Sequence, residues 1–163
     1  MSRSSPEEIA IRMGLDIPDF AAQGYYGTSF GTMKPHHIAG NLLFLSGHVG
    51  QATDGRILGG RLGATLTTEQ GYAAARVCGQ NLLGGIRLAL GSLDRVRAIV
   101  RTLNFVVCAP DYTDVHKVSS GLSDLLVEVF GPERGLGGRA TIGVMALAEG
   151  HCFETWATVE IEP

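Results

Sequence analysis

The sequence predicts a single α+β domain, and three observations carry that prediction. Apolar residues between Tyr72 and Ala89 recur at helical spacing along one long segment. The run V-R-A-I-V-R-T-L-N-F-V-V (Val96–Val107) is rich in β-branched residues and reads as a strand. Two alternating stretches close the chain, R-A-T-I-G-V-M-A-L from Arg139 and F-E-T-W-A-T-V-E-I from Phe153. The resulting order is β-β-α-β-α-β-β, with no internal repeat and no linker long enough to divide the 163 residues.

Each element has a local cause. Ser5-Pro6-Glu7-Glu8 starts a short helix: a capping serine, proline at the first helical position, then acids that suit the dipole. Gly14 ends it and Pro18 blocks its continuation. Residues 20–33 form a Gly- and aromatic-rich loop, so residues 1–33 read as an N-terminal extension and 34–163 as the domain proper. Short strands are expected at Lys34–Ala39 and Leu42–Ser46 around a Gly40-Asn41 turn. Residues 50–66, with five glycines, read as an exposed loop. Thr67-Thr68-Glu69-Gln70 caps the first long helix, which runs to Gly91. Its Gly79, Gly84 and Gly85 cost helix propensity and are expected to let it approach a sheet closely. After the Val96–Val107 strand, Asp111 is the expected cap of a second helix that Gly131-Pro132 stops.

Composition narrows the function classes. Hydrophobic residues make up 45% and charged residues only 18%, which suits a chain that hides surface in an oligomer. A formal charge of −3 offers no basic footprint for nucleic acid. Cys78, Cys108 and Cys152 form no C-x-x-C pair and are expected as free thiols in a reducing compartment. No stretch approaches the ~18 apolar residues of a membrane span, and the N-terminus lacks the apolar core of a signal peptide. The expectation is a soluble, cytoplasmic protein.

The two closing stretches carry the chemistry. Joined by a tight turn near Glu149-Gly150, they would pair Arg139 with Glu160 and Met145 with Glu154, and put Arg139, Glu154 and Trp156 on one sheet face. Arg139 and Glu154 would then lie roughly 20 Å apart, at about 3.3 Å for each of six residues. One small carboxylate cannot touch both within one chain at that separation, so a shared site requires assembly between subunits.

This order of elements, with N-L-L-F-L-S-G (Asn41–Gly47), Asn81-Leu82, L-G-S-L-D-R-V (Leu90–Val96) and the closing R-A-T-I-G-V-M-A-L…F-E, resembles the YjgF/RidA family, also called the endoribonuclease L-PSP family. The likeness covers roughly residues 34–161, and the middle segment from Ala109 to Gly131 looks like the family's longer branch. It implies a chorismate-mutase-like α+β fold, a mixed sheet with two long helices packed on one face. It also implies a homotrimer whose sheets form a central barrel with clefts between subunits. Characterised members hydrolyse imines and enamines to 2-oxo acids and ammonia without a cofactor.

Residue by residue, Arg139 falls on the family's substrate arginine, whose planar fork meets a carboxylate through two parallel hydrogen bonds. The other reading of Arg139 is a cross-strand pair with Glu160. Glu154 falls on the glutamate that orients or activates water; its other reading is an ion pair between subunits. Ser46-Gly47 falls on a strand-ending S-G whose hydroxyl and backbone N–H groups bind a carboxylate oxygen, or is a simple turn. Departures alter the pocket. His36 stands near a family tyrosine, His116 at an asparagine, Thr141 at a cysteine and Ala148 at a proline. The implied substrate therefore differs from the simplest 2-aminoacrylate.

Three further readings are weighed and set lower. His36 and His37 point to opposite strand faces, so with His48 they form no evident metal site. The Gly135–Gly138 loop lacks the G-K-[ST] of a phosphate loop. Tyr25, Tyr26 and Phe30 either close over a ligand or pack the extension against a neighbouring subunit. The leading expectation is an imine/enamine deaminase acting on a small carboxylate-bearing metabolite, and its rival is a non-catalytic binder of such a metabolite. Ribonuclease activity is disfavoured by the acidic chain, and chorismate mutase activity rests on fold analogy alone.

Overall fold

The computed structural model describes residues 4–27 and 30–162; Thr28 and Ser29 of the aromatic-rich loop lie outside them. Helix α1 (Pro6–Arg12) begins at Ser5 through a reciprocal cap with Glu8, and Gly14 follows its end with φ 64°. The aromatic-rich loop contains a short helix, α2 (Phe20–Gln23), capped by Asp19. Strands β1 (His36–Ala39) and β2 (Leu42–Leu45) form the expected antiparallel pair, and a two-residue strand β3 (His48–Val49) follows.

Helix α3 (Thr68–Leu90) starts where expected because Thr67 and Gln70 satisfy each other's exposed N–H groups, at 2.8 and 3.3 Å. It ends at Gly91, which takes the left-handed conformation, φ 78°. Strand β4 (Val96–Val107) leads to α4 (Val115–Phe130), then to the short α5 (Pro132–Gly135), β5 (Gly138–Val144) and β6 (Phe153–Ile161). Asp111 does not cap α4. The helix begins four residues later, because Ala109–Asp114 is held as a turn by Tyr112, whose hydroxyl bonds Thr68 at 2.8 Å.

The sheet order is β1-β2-β6-β4-β5, with β3 also on β6. The closing stretches are therefore not a hairpin. Strand β4 lies between them, antiparallel to β6 and parallel to β5. The reason is the β4-α4-β5 crossover, which returns the chain parallel to where it left. Helices α3 and α4 pack on one face of this mixed sheet. Their Leu82, Leu83, Ile86, Leu122 and Leu125 are fully buried with Leu43, Phe153 and Val159 of the sheet. Each such side chain contributes roughly 1.5–3 kcal/mol.

The three α3 glycines serve three different neighbours. An added Cβ would meet Leu125 of α4 at Gly79, the Pro18 carbonyl at Gly84, and the His48 ring of β3 at 2.1 Å at Gly85. Only Gly85 admits a sheet residue. The 50–66 segment is also less exposed than expected. Leu62 is fully buried, and its backbone exchanges 2.9 Å bonds with Val107 and Ala109.

Candidate active site

The face of the sheet opposite the helices is open. It carries Phe44, Leu103, Phe105, Ile142 and Trp156, with Ile142 47% and Trp156 53% exposed. The Phe105 and Trp156 rings meet edge to face, centroids 6.3 Å apart. A cavity of about 1050 Å³ lies on this face, walled by β1, β2, β6 and β4 and reaching Tyr25 and Phe30 of the extension.

Glu154, Ser46, Gly47 and His36 all line it. Glu154 is half-buried, and Trp156 Nε1 donates to its Oε1 at 2.7 Å. Gly47 is needed for this arrangement, since a Cβ there would lie 2.2 Å from Glu154 Oε1. The Ser46 hydroxyl donates to the Lys34 carbonyl, and the Tyr25 hydroxyl donates to the Gly47 carbonyl at 2.6 Å. Burial pushes the Tyr25 hydroxyl's pKa up, and the nearby Cys78 and Glu154 add to the shift, so it stays a donor. Burial, and then His37, lowers the pKa of His36.

Behind this wall sits His48, fully buried, with the rings of Phe20, Tyr25 and Tyr26 around it at 5.3–6.2 Å. Its Nδ1 is 2.9 Å from the Ser46 carbonyl. A carbonyl only accepts, so Nδ1 carries the proton; Nε2 has no partner among the described residues. Burial holds the His48 pKa down to about 4. The extension's aromatic residues thus pack on their own chain and fix the Ser46-Gly47 turn from behind.

The other three candidates are elsewhere. Register assigns β5 faces opposite to those a hairpin would give. Arg139 pairs with Thr102 and Thr141 with Asn104, both buried on the helix side. Arg139 Nη1 lies 3.1 Å from Ser123 and 3.5 Å from Ser120 of α4, and Thr141 Oγ1 lies 2.7 Å from Ser119. Ala140 and Ile142 take the open face instead. His116 is exposed on the first turn of α4, one turn before Ser120, whose hydroxyl donates to the His116 carbonyl. Arg139, Thr141, His116 and the α4 serines therefore make a polar ledge along the β5 edge.

Arg139 also borders the cavity at its β5 rim. Its row crosses Thr102 to Ala157, three residues from Glu154. The two Cα atoms are separated by roughly 14 Å, from about 3.3 Å per residue and about 4.8 Å per strand, and the side chains leave opposite faces. Glu160, the other suggested partner of Arg139, instead lies 3.5 Å from Arg97 and accepts from Asn41. Among the described residues, no three His, Cys, Asp or Glu side chains are grouped to hold a metal ion.

Sequence reasoning missed Arg101. A β-bulge between Ile99 and Arg101 adds Val100 to the ladder and turns Arg101 to the open face with Phe105 and Trp156. Strict alternation would have put Arg101 beside the buried Ile99. No local signal marks the bulge beyond the exposed pair Val100-Arg101 itself.

A mixed sheet backed by two helices packed side by side in the same direction, with a cavity on its bare face and a polar ledge at its parallel edge, defines a chorismate-mutase-like α+β protein. A family model described as "YjgF/chorismate_mutase-like, putative endoribonuclease" matches residues 7–152, and the chain belongs to that family. It is 36% identical over 150 residues to Protein TCP17 of Trypanosoma cruzi, covering 92% of this chain and 90% of that one. A solved structure from Shewanella oneidensis, described as "a putative endoribonuclease", is 29% identical with TM-score 0.87, covering 97% of this chain and 100% of that one. The protein Atu1372 of Agrobacterium tumefaciens, of unknown function, is 28% identical with TM-score 0.83, covering 96% and 94%. E. coli TdcF, solved with bound serine, shares the fold at 18% identity and TM-score 0.56, covering 81% and 90%.

Proposed function

We propose that this chain is a cofactor-independent imine/enamine deaminase whose sites lie between the subunits of a cytoplasmic homotrimer. The observation that carries this reading is the division of the candidate residues into two half-sites. The cavity wall formed by β1, β2 and β6 holds Ser46, Gly47, His36 and Glu154, whereas Arg139, at the β5 rim, turns its guanidinium with Thr141 and His116 to the ledge on the other face. Neither half is sufficient, and a second copy docking its ledge over the bare apolar face joins them. Covering Phe44, Ile142 and Trp156 supplies the driving force for that docking. The free Cys78, Cys108 and Cys152 suit a reducing compartment.

In the joined site, Arg139 of one chain grips the substrate carboxylate through two parallel hydrogen bonds. Glu154 of the neighbour takes a proton from water as its oxygen attacks the imine carbon, forming a tetrahedral carbinolamine. That proton passes to nitrogen, the carbinolamine hydroxyl proton then follows it through Glu154 as the C–N bond breaks, and a 2-oxo acid and ammonia leave. Ser46 and the backbone around Gly47 hold oxygen atoms of the substrate, and His36, His116 and Thr141 shape the pocket.

The test uses imines made in situ by an amino-acid oxidase, with 2-oxo acid release as readout. Wild type accelerates release, while Arg139→Ala and Glu154→Gln each abolish the acceleration. Trimers reassembled from an equal mixture of the two variants regain about a quarter of the sites, those pairing one intact Arg139 with one intact Glu154. No recovery would place both residues in one chain's site and sink the shared-site reading.

One observation favours a second reading, a binder without turnover. Glu154 already spends one oxygen on Trp156. In that case Glu154→Gln keeps its affinity for 2-oxo acids and wild type shows no acceleration.

A further inference from the structure

Lysine and arginine side chains in this protein are almost all satisfied. Among the described residues, Arg56, Arg76, Arg87, Arg97 and Lys117 pair with carboxylates. Five more donate to carbonyl or hydroxyl oxygens. Of the described lysines and arginines, Lys34 and Arg101 alone have no hydrogen bond or ion pair from their side chains, and both line the open-face cavity. That cavity contains a single carboxylate, Glu154, and Trp156 already donates to it. A chain of net charge −3 therefore turns both of the unpartnered cations among its described residues toward one concave, largely apolar surface. Low-dielectric walls such as Phe44, Leu103 and Trp156 concentrate the resulting positive potential.

The two cations sit at different ends. Lys34 adjoins the Ser46-Gly47 turn beside Glu154, since its carbonyl accepts from the Ser46 hydroxyl. Arg101 pairs with Thr158, four residues along β6 from Glu154, a Cα separation of roughly 14 Å at about 3.3 Å per residue and 4.8 Å per strand. The bulge at Val100 puts Arg101 there. A monocarboxylic imine gripped at the Glu154 end leaves Arg101 with nothing to bind.

We propose that the cavity selects substrates with an anionic group at each end, of the dicarboxylic imino-acid class, with Arg101 holding the distal carboxylate. This rests on the deaminase reading for the chemistry, but the binding preference is separable from it. Lys34 adds to the positive potential at the reacting end.

Calorimetric titration of the full-length protein with 2-oxoglutarate and oxaloacetate, against 2-oxobutyrate and pyruvate, tests the preference directly. The diacids bind about tenfold or more tightly, the gap collapses in Arg101→Met, and Arg101→Lys retains most of it. Equal affinity for both classes in wild type overturns the proposal. So does a phosphorylated 2-oxo acid that outbinds every diacid, or salt-sensitive RNA binding through Arg101 in their place. Sedimentation of Arg101→Met guards against an interface role: dissociation with equal loss of every ligand makes Arg101 an inter-subunit ion-pair partner and removes the subsite. Ammonia release from oxidase-generated imines of aspartate, glutamate and alanine completes the test. A diacid binding preference without accelerated release defeats the deaminase reading and leaves the subsite standing. Equal acceleration of all three imines, without a binding preference, does the reverse.

Discussion

At the scale of single residues, the candidate site depends on where a side chain is missing as much as on those present. Gly47 lets Glu154 lie against the backbone of the turn, and an alanine Cβ there would sit 2.2 Å from Oε1. Gly47→Ala therefore pushes the carboxylate out of place without touching the core. The expected result is a loss in kcat/KM on the order of a hundredfold, as for a small misplacement of reacting groups, with the melting temperature close to wild type. Kinetics beside a thermal melt check both. Ser46, Gly47, His36 and Glu154 were singled out through the family resemblance, and the fold brings them to one cavity wall because each lies on or beside a strand of the same sheet. Arg101 was not, because one bulged residue reverses its face and leaves no composition signal.

At the scale of elements, the helical boundaries were largely legible, since caps are local: Ser5, Thr67, Gly91 and Gly131 mark termini through their own hydrogen bonds or backbone angles. Strand neighbours were not. Consecutive alternating strands invite pairing, and only the strand-helix-strand order before them says that β5 returns parallel to β4. The corrected topology creates a buried polar chain joining helix to sheet. Thr155 donates to Asn104 at 2.7 Å, Asn104 donates to Ser119 at 3.1 Å, and Ser119 meets Thr141 at 2.7 Å. Ser119→Ala strands the Asn104 amide in the core and frees Thr141 on the ledge. It should cost about 1–3 kcal/mol in urea unfolding, the penalty for an unsatisfied buried donor; a change below a few tenths would mean the network is not holding α4.

At the scale of the whole molecule, acid should loosen the protein through its buried imidazole. The His48 pKa is about 4 in the fold against the ordinary imidazole value of 6.5, so the unfolded chain binds the extra proton between those limits. The stabilisation is complete above pH 6.5 and is lost as the pH falls toward 4, on the order of 3 kcal/mol in all. The His151 pKa, also lowered by burial, acts in the same direction. Urea unfolding at pH 7 and pH 4.5 should show the loss, and His48→Gln should flatten it; an unchanged slope in the variant would assign the acid sensitivity elsewhere. The parallel edge strand has a consequence of a different kind. Because neighbouring residues of β5 leave opposite sides, the strand works as a two-way selector: one step of sliding would offer Ala140 to the ledge and swing Arg139 onto the bare face. Gly137 holds the selector in position, for a Cβ there would strike the Ile99 carbonyl at 2.5 Å. Which side chain meets a ligand at that edge is thus decided as much by a glycine two residues upstream as by the arginine itself.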